Sequence, residues 1–232
     1  MALSSKKRLE RRMLLYRFLN AEYGLLAIRE RRLRISRINE LNDEFEFIGL
    51  ALKRKADRIE LRRVREHVNG HTGIICMSKQ WSHPLMWSHY GASYTGIALE
   101  FFTFPTRVRE VEYVTKRPTL QTFGCKSLED VSELHLNRLF RLKFDAWQYE
   151  EEYRFFLPLE NGEEIKRKVH YFLPFSPHVQ LKSVIVGPRS AVTRAQVAEA
   201  LGGMAGSVET FRARADFDDF KVVKNMQESM WK

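Results

Sequence analysis

The chain has 232 residues, 44% hydrophobic and 12% aromatic, which suits one sizeable core rather than a disordered or fibrous protein. Lys and Arg outnumber Asp and Glu by 39 to 29, a formal charge of +10, and no apolar run is long enough to span a bilayer. The two cysteines, Cys76 and Cys125, form no paired motif, so a disulfide scaffold is not expected and a reducing cytoplasm is.

The N-terminal run MALSSKKRLERR is basic but lacks an apolar stretch with a small-residue cleavage site, so it does not read as a signal peptide. MLLYRF (13–18) reads as a buried strand and AEYGLLAIRERR (21–32) as a helix. LRISRI (33–38) is a strand. NELNDEFE follows as a turn into a helix, with Asn42 or Asp43 as its N-cap, and residues 45–69 read as one basic amphipathic helix.

GIICMS (73–78) is an apolar strand, and a short helix begins near Pro84. GIALEFF (96–102) and VREVEYV (108–114) are strands. Residues 127–144 read as a helix opened by a Ser127–Asp130 capping box. WQYEEEYRFFL (147–157) reads as a strand, NGEE as a turn, and IKRKVHYFLPF as the returning arm of a hairpin. LKSVIVG is a buried strand, TRAQVAEAL a helix ended by Gly202 and Gly203, and SVETFRARAD a last strand. Helices and strands mix without strict alternation, which predicts one α+β domain over residues 1–232, with a mixed, mostly antiparallel sheet.

The glutamate segment is the chemically suggestive part. Strand alternation puts Glu150, Glu152 and Arg154 on one face, opposite Tyr149, Tyr153 and Phe155. Two adjacent acids raise each other's pKa and a neighbouring arginine lowers them again. The plainer reading, favoured on this stretch alone, is a solvated face of weak ion pairs. His67 and His71 are spaced i, i+4 around Gly70 without an HExxH pattern, so no metal site is expected. The basic segments favour a polyanionic partner such as nucleic acid, although no nucleic-acid motif of readable geometry is present.

LLYRF, LRISRINELNDEFE, CMSKQWSHPLMWSHYGASYTGIALEF, WQYEEEYR and VIVG occur in that order over most of the chain. On these segments the chain resembles the bacterial domain-of-unknown-function family 2971. It departs at Glu44, where that family usually has proline after the asparagine–aspartate pair. The order of parts is also similar, more distantly, to ADP-ribosyltransferases of the arginine–serine–glutamate class. Arg17 matches the arginine of the first strand, Ser78 the serine motif, and Glu150 and Glu152 the glutamate–any–glutamate strand. Cys76-Met77-Ser78 replaces the usual serine–threonine–serine, and no glycine follows Arg17.

That similarity implies an ADP-ribosyltransferase-like split sheet, with residues 45–69 and 127–144 as helical elaborations. It implies NAD as substrate, ADP-ribose transfer to a macromolecule with nucleic acid one candidate, or NAD hydrolysis. A role in toxicity or phage defence would suit such an enzyme. Glu152 would stabilise an oxocarbenium-like ribose and Glu150 would orient or deprotonate the acceptor. Arg17 would bind phosphate or ribose, Ser78 the nicotinamide end, and Trp87 and Tyr90 would stack on a ring. Arg154 would keep Glu152 ionised. Asn42, Asp43 and His89 are further site candidates. Two rivals stay open: a metal-dependent nuclease using Asp43, Glu150 and Glu152, and a basic, non-catalytic nucleic-acid or protein-binding domain. No lysine stands two residues after either acid on the expected face, which counts against the nuclease.

Overall fold

The computed structural model describes residues 12–231; the basic run up to Arg11 lies outside them. The strands are β1 (Met13–Leu19), β2 (Arg32–Arg37), β3 (Thr72–Ser78), β4 (Ile97–Thr103), β5 (Arg109–Glu110), β6 (Glu112–Val114), β7 (Leu142–Phe144), β8 (Glu152–Pro158), β9 (Glu163–Ile165), β10 (Lys168–Pro174), β11 (Val179–Val186), β12 (Glu209–Ala215) and β13 (Val222–Lys224). The helices are α1 (Ala21–Glu30), α2 (Lys55–His71), α3 (Pro84–His89), α4 (Glu133–Leu139) and α5 (Arg194–Leu201). Most strands join one mixed sheet in the order β13-β12-β11-β4-β1-β3-β2-β10-β9, and β8 adds to β3 off that path. Apart from the parallel β11–β12 pair, this sheet is antiparallel. The expected α+β class with a mostly antiparallel sheet is what the chain adopts.

Local signals explain the elements near the site. Asn20 Oδ1 accepts the Tyr23 N–H at 2.8 Å and starts α1. Thr193 Oγ1 accepts the Gln196 N–H and starts α5. Helices α1 and α5 pack together beside the largest core, which contains Leu15, Ile28, Leu99, Val184 and Val197. A second core gathers Phe47, Leu61, Ile74, Leu139 and Leu142. β3 runs between them, which is why TGIICMS is apolar on both faces.

The decisive feature is a fork at β3. β8 pairs along its whole length, from Thr72↔Pro158 to Ser78↔Glu152. A strand has only two edges, so β1 and β2 share the other. β2 meets it at Ser36↔Ile74 and Arg37↔Gly73, and β1 only at Tyr16↔Ser78. Between those contacts the strands splay and leave a cavity.

Several expectations are corrected. The helix expected over 45–69 begins only at Lys55, and neither Asn42 nor Asp43 caps it. Residues 43–50 form turns instead, with Phe47 at φ +64 and buried against Phe140 and Phe156. The helix expected over 127–144 is broken into a 3-10 turn (Leu128–Asp130), α4 and β7. The 3-10 turn has Asp130 Oδ2 accepting the Ser127 and Lys126 N–H groups. β7 forms because residues 142–144 pair in parallel with β6. Residues 108–114 give two short strands rather than one. WQYEEEYRFFL enters as a 3-10 turn (Asp145–Glu150), and its strand starts at Glu152. The hairpin joins β9 to β10 through Lys166 and Arg167, both at positive φ, while β8 pairs elsewhere.

Gly96 opens β4 where it touches the end of β1. A Cβ there would clash with the Leu19 and Gly91 carbonyl oxygens, which are backbone and cannot swing aside. Gly96→Ala is therefore expected to cost about 1–3 kcal/mol, read as a lower urea midpoint with an unchanged m-value.

Candidate active site in the forked sheet

The cavity has a volume of about 260 Å³. Its wall includes Arg17 of β1, Ser78 of β3, Tyr90 after α3, Asn42, and both Glu150 and Glu152. The fork therefore brings together six residues singled out from the sequence. It adds two that were not, Glu46 and Lys143.

Arg17 bridges the splayed strands: its Nη1 donates to the Cys76 carbonyl at 2.6 Å. Ser78 is buried, and its hydroxyl bonds to Gln80, donating to the carbonyl and accepting from the N–H. His83 caps α3.

Glu150 and Glu152 meet on one ammonium. Lys143 Nζ donates to Glu150 Oε2 at 2.6 Å and to Glu152 Oε2 at 2.9 Å, and lies 3.6 Å from Glu46 Oε1. Arg154 lies behind them, with Nε 2.7 Å from Glu152 Oε1 and Nη2 2.6 Å from Glu46 Oε1. Its Nη1 donates to the Phe140 carbonyl. All five side chains are buried. The solvated-face reading of the glutamate segment is thereby overturned. The charges stay inside because each is paired, as buried charges must be.

The cluster holds three carboxyls against two cations, so its protonation is uneven. Burial favours the neutral form of Glu152, but Arg154 and Lys143 outweigh it and hold that carboxyl well below the usual range. For Glu46 and Glu150 burial wins over the cations, aided by the charge of Glu152, and both are raised. Burial also works against the charge of Lys143. Its three carboxylate neighbours overcome that and keep it an ammonium. Lys143 is thus a charge partner and not a base. Among the described residues buried Glu46 Oε2 has no hydrogen-bond partner, whereas both oxygens of Glu150 accept one, so the surplus proton is assigned to Glu46.

A relay supports Glu150 from the other side. Asn42 Nδ2 donates to Tyr90 Oη at 2.8 Å, and Tyr90 Oη donates to Glu150 Oε1. Burial and the Glu150 charge raise the Tyr90 pKa, so the phenol keeps the proton it donates.

The remaining candidates lie elsewhere. Trp87 is completely buried, edge-on to Phe18 and hydrogen-bonded to the Trp81 carbonyl, so it is a core residue rather than a ring stacker. Arg154 is walled off behind Glu152 and cannot touch a ligand in the cavity. Asp43 turns away and accepts the Phe45 N–H. His89 is exposed, with Nδ1 2.8 Å from Tyr149 Oη, in an aromatic group with Trp147. Reading 45–69 and 127–144 as helices hid Glu46 and Lys143. No local signal could have found Lys143: strand alternation would put it on a solvent face opposite Leu142 and Phe144, whereas Lys143 is buried and Phe144 is exposed.

No family model, curated protein or solved structure matches the chain.

Lys143→Met leaves the acids of the cluster short of one partner and is expected to lower stability by about 3–5 kcal/mol in a denaturant titration. Exposed Glu151→Gln should stay within about 0.5 kcal/mol. Glu46→Gln tests the proton assignment. A buried acid with a raised pKa binds more protons folded than unfolded, so stability falls as pH rises above its ordinary value of 4.5. The Gln variant should show a shallower fall over that window, measured as urea midpoints from pH 4.5 upward.

Proposed function

We propose that the forked cavity binds NAD and breaks its nicotinamide–ribose bond, passing ADP-ribose to an acceptor or to water. The observation that carries this reading is the pairing of the Arg17 guanidinium on one wall with three carboxyls gathered around Lys143 on the other, with Arg154 behind them. Breaking that bond builds positive charge on the ribose. The buried, ionised Glu152 carboxylate is matched to the cationic nicotinamide ring and to that developing charge. Glu152, held ionised by Arg154 and Lys143, faces the ribose. Glu150, gripped by Tyr90 and Lys143, handles the acceptor proton. Arg17 forks onto phosphate. Ser78 and Tyr90 bound the ring.

Support also comes from the segments on which the family 2971 resemblance rests. LLYRF, NELNDEFE, CMS, WSHY and the glutamate run are far apart in the chain, yet each contributes a residue to this cavity wall.

The nuclease reading asks the same acids to grip a divalent ion. Lys143 Nζ already occupies the space between Glu150 and Glu152, and Asp43 faces away. A lysine does stand beside the acids, as a nuclease would want, but it comes from β7 and is held charged.

Nicotinamide release from NAD is the test, with total RNA, DNA or lysate as added acceptors. Glu150→Gln keeps the side chain's shape, but its single amide oxygen can accept from only one of Tyr90 and Lys143, so some loss of stability is expected. It is expected to lower release by at least about 100-fold in protein that circular dichroism shows to be folded. Arg17→Gln should abolish the thermal shift that NAD produces in the parent protein. No release and no NAD-induced shift in the parent protein would end this reading.

A further inference from the structure

Residues 42–46 separate two cavities. Asn42 and Glu46 line the forked cavity, while Asp43 and Phe45 line a second one of about 270 Å³ on the other side. Lys143 borders both. The second cavity is floored by the parallel β6–β7 pair, through Val114, Leu142 and Phe144.

Its chemistry is unlike that of the first. Two phenylalanine rings stand open in it, Phe45 at 60% exposure and Phe144 at 51%. Lys116 and Arg117 join them, and the Arg117 guanidinium lies 4.8 Å from the centre of the Phe45 ring. The exposed charges of the wall are those of Lys116 and Arg117; Lys143 is buried and paired with the acid cluster, and Asp43 is buried. Single exposed apolar residues are common and need no explanation. Two aromatic faces in one basic cavity, a turn away from a candidate catalytic acid, are a specific combination. Sequence-tolerant recognition of single strands uses such aromatic faces for bases and cations for the backbone. The chain's charge of +10 favours the same polyanion.

We infer that this cavity is a subsite for single-stranded nucleic acid, in which an unpaired base stacks on Phe45 and Phe144 while Lys116 and Arg117 hold the flanking phosphates. It rests on the reading above for its role as acceptor site, but binding itself does not need NAD. A duplex keeps its bases stacked inside and offers the rings nothing, so the preference is for unpaired strands.

The test is fluorescence anisotropy with short labelled single-stranded DNA, single-stranded RNA and duplex DNA, without NAD, at two salt concentrations. The parent protein should bind a single strand more tightly than duplex. Better binding of the DNA or of the RNA strand identifies the source of the acceptor. Phe45→Ala with Phe144→Ala should weaken single-strand binding by at least about tenfold. Both rings are largely exposed, so melting should not change. Lys116→Gln with Arg117→Gln should flatten the dependence of log affinity on log salt by roughly two charges. Absence of binding at low salt, equal affinity for duplex, or an aromatic variant that binds like the parent would each overturn the inference. Nicotinamide release without nucleic acid is measured separately, so failure here leaves the NAD reading standing and the converse also holds.

Discussion

Two cations and three carboxyl groups share a space almost closed to water between β3, β7, β8 and the turn at residues 43–46. Such a cluster is no cheap source of stability. Each charge loses its hydration, and the attraction returns that only when the geometry is good. What it supplies is constraint. Arg154 ties β8 to the 43–46 turn and to the Phe140 carbonyl. Lys143 ties β7 to both acids. Breaking any one of these leaves a buried charge unpaired, so the elements hold one arrangement.

That arrangement sits where the sheet cannot be continuous. β3 gives one edge to β8 and divides the other between β1 and β2. The Tyr16↔Ser78 contact is the hinge of the fork, and Arg17, the next residue, reaches across to the Cys76 carbonyl. The fork supplies the opening, and the charge cluster supplies a buried wall with one carboxyl group more than it has cations. The sheet and the cluster are therefore parts of one device: the gap in strand pairing is tolerable because other groups satisfy its edges. The second cavity exists for a related reason. The turn at 42–46 alternates its side chains, Asn42 and Glu46 to one side and Asp43 and Phe45 to the other.

Much of the site was legible before the fold was known. Arg17, Ser78, Tyr90, Asn42, Glu150 and Glu152 were marked by residue type and by the order of short motifs, and they meet in one cavity. Trp87 departs from its expected stacking role because helical spacing does not say which face is inside; here that face is the core. Glu150 and Glu152 are neighbours, as strand alternation predicts, but for a different physical reason. They are not alternate residues of one strand, since Glu150 ends a 3-10 turn and Glu151 at φ +42 redirects the chain. They converge because one ammonium binds both.

The amino-acid sequence by itself determined the elements whose causes are local. Asn20 starts α1, the Thr193 box starts α5, Pro84 opens α3, and the apolar run at 73–78 becomes the strand at the centre of the fork. Propensity, capping and periodicity act within a few residues, so they can be read along the chain. The tertiary structure alone decided that β7 interrupts an apparent helix, that β8 joins β3, and that Lys143 and Glu46 complete the cluster. Those outcomes depend on pairing between residues up to 108 positions apart, as Arg154 and Glu46 are. A buried charge is favourable only beside its partner, and no local pattern states where that partner will be.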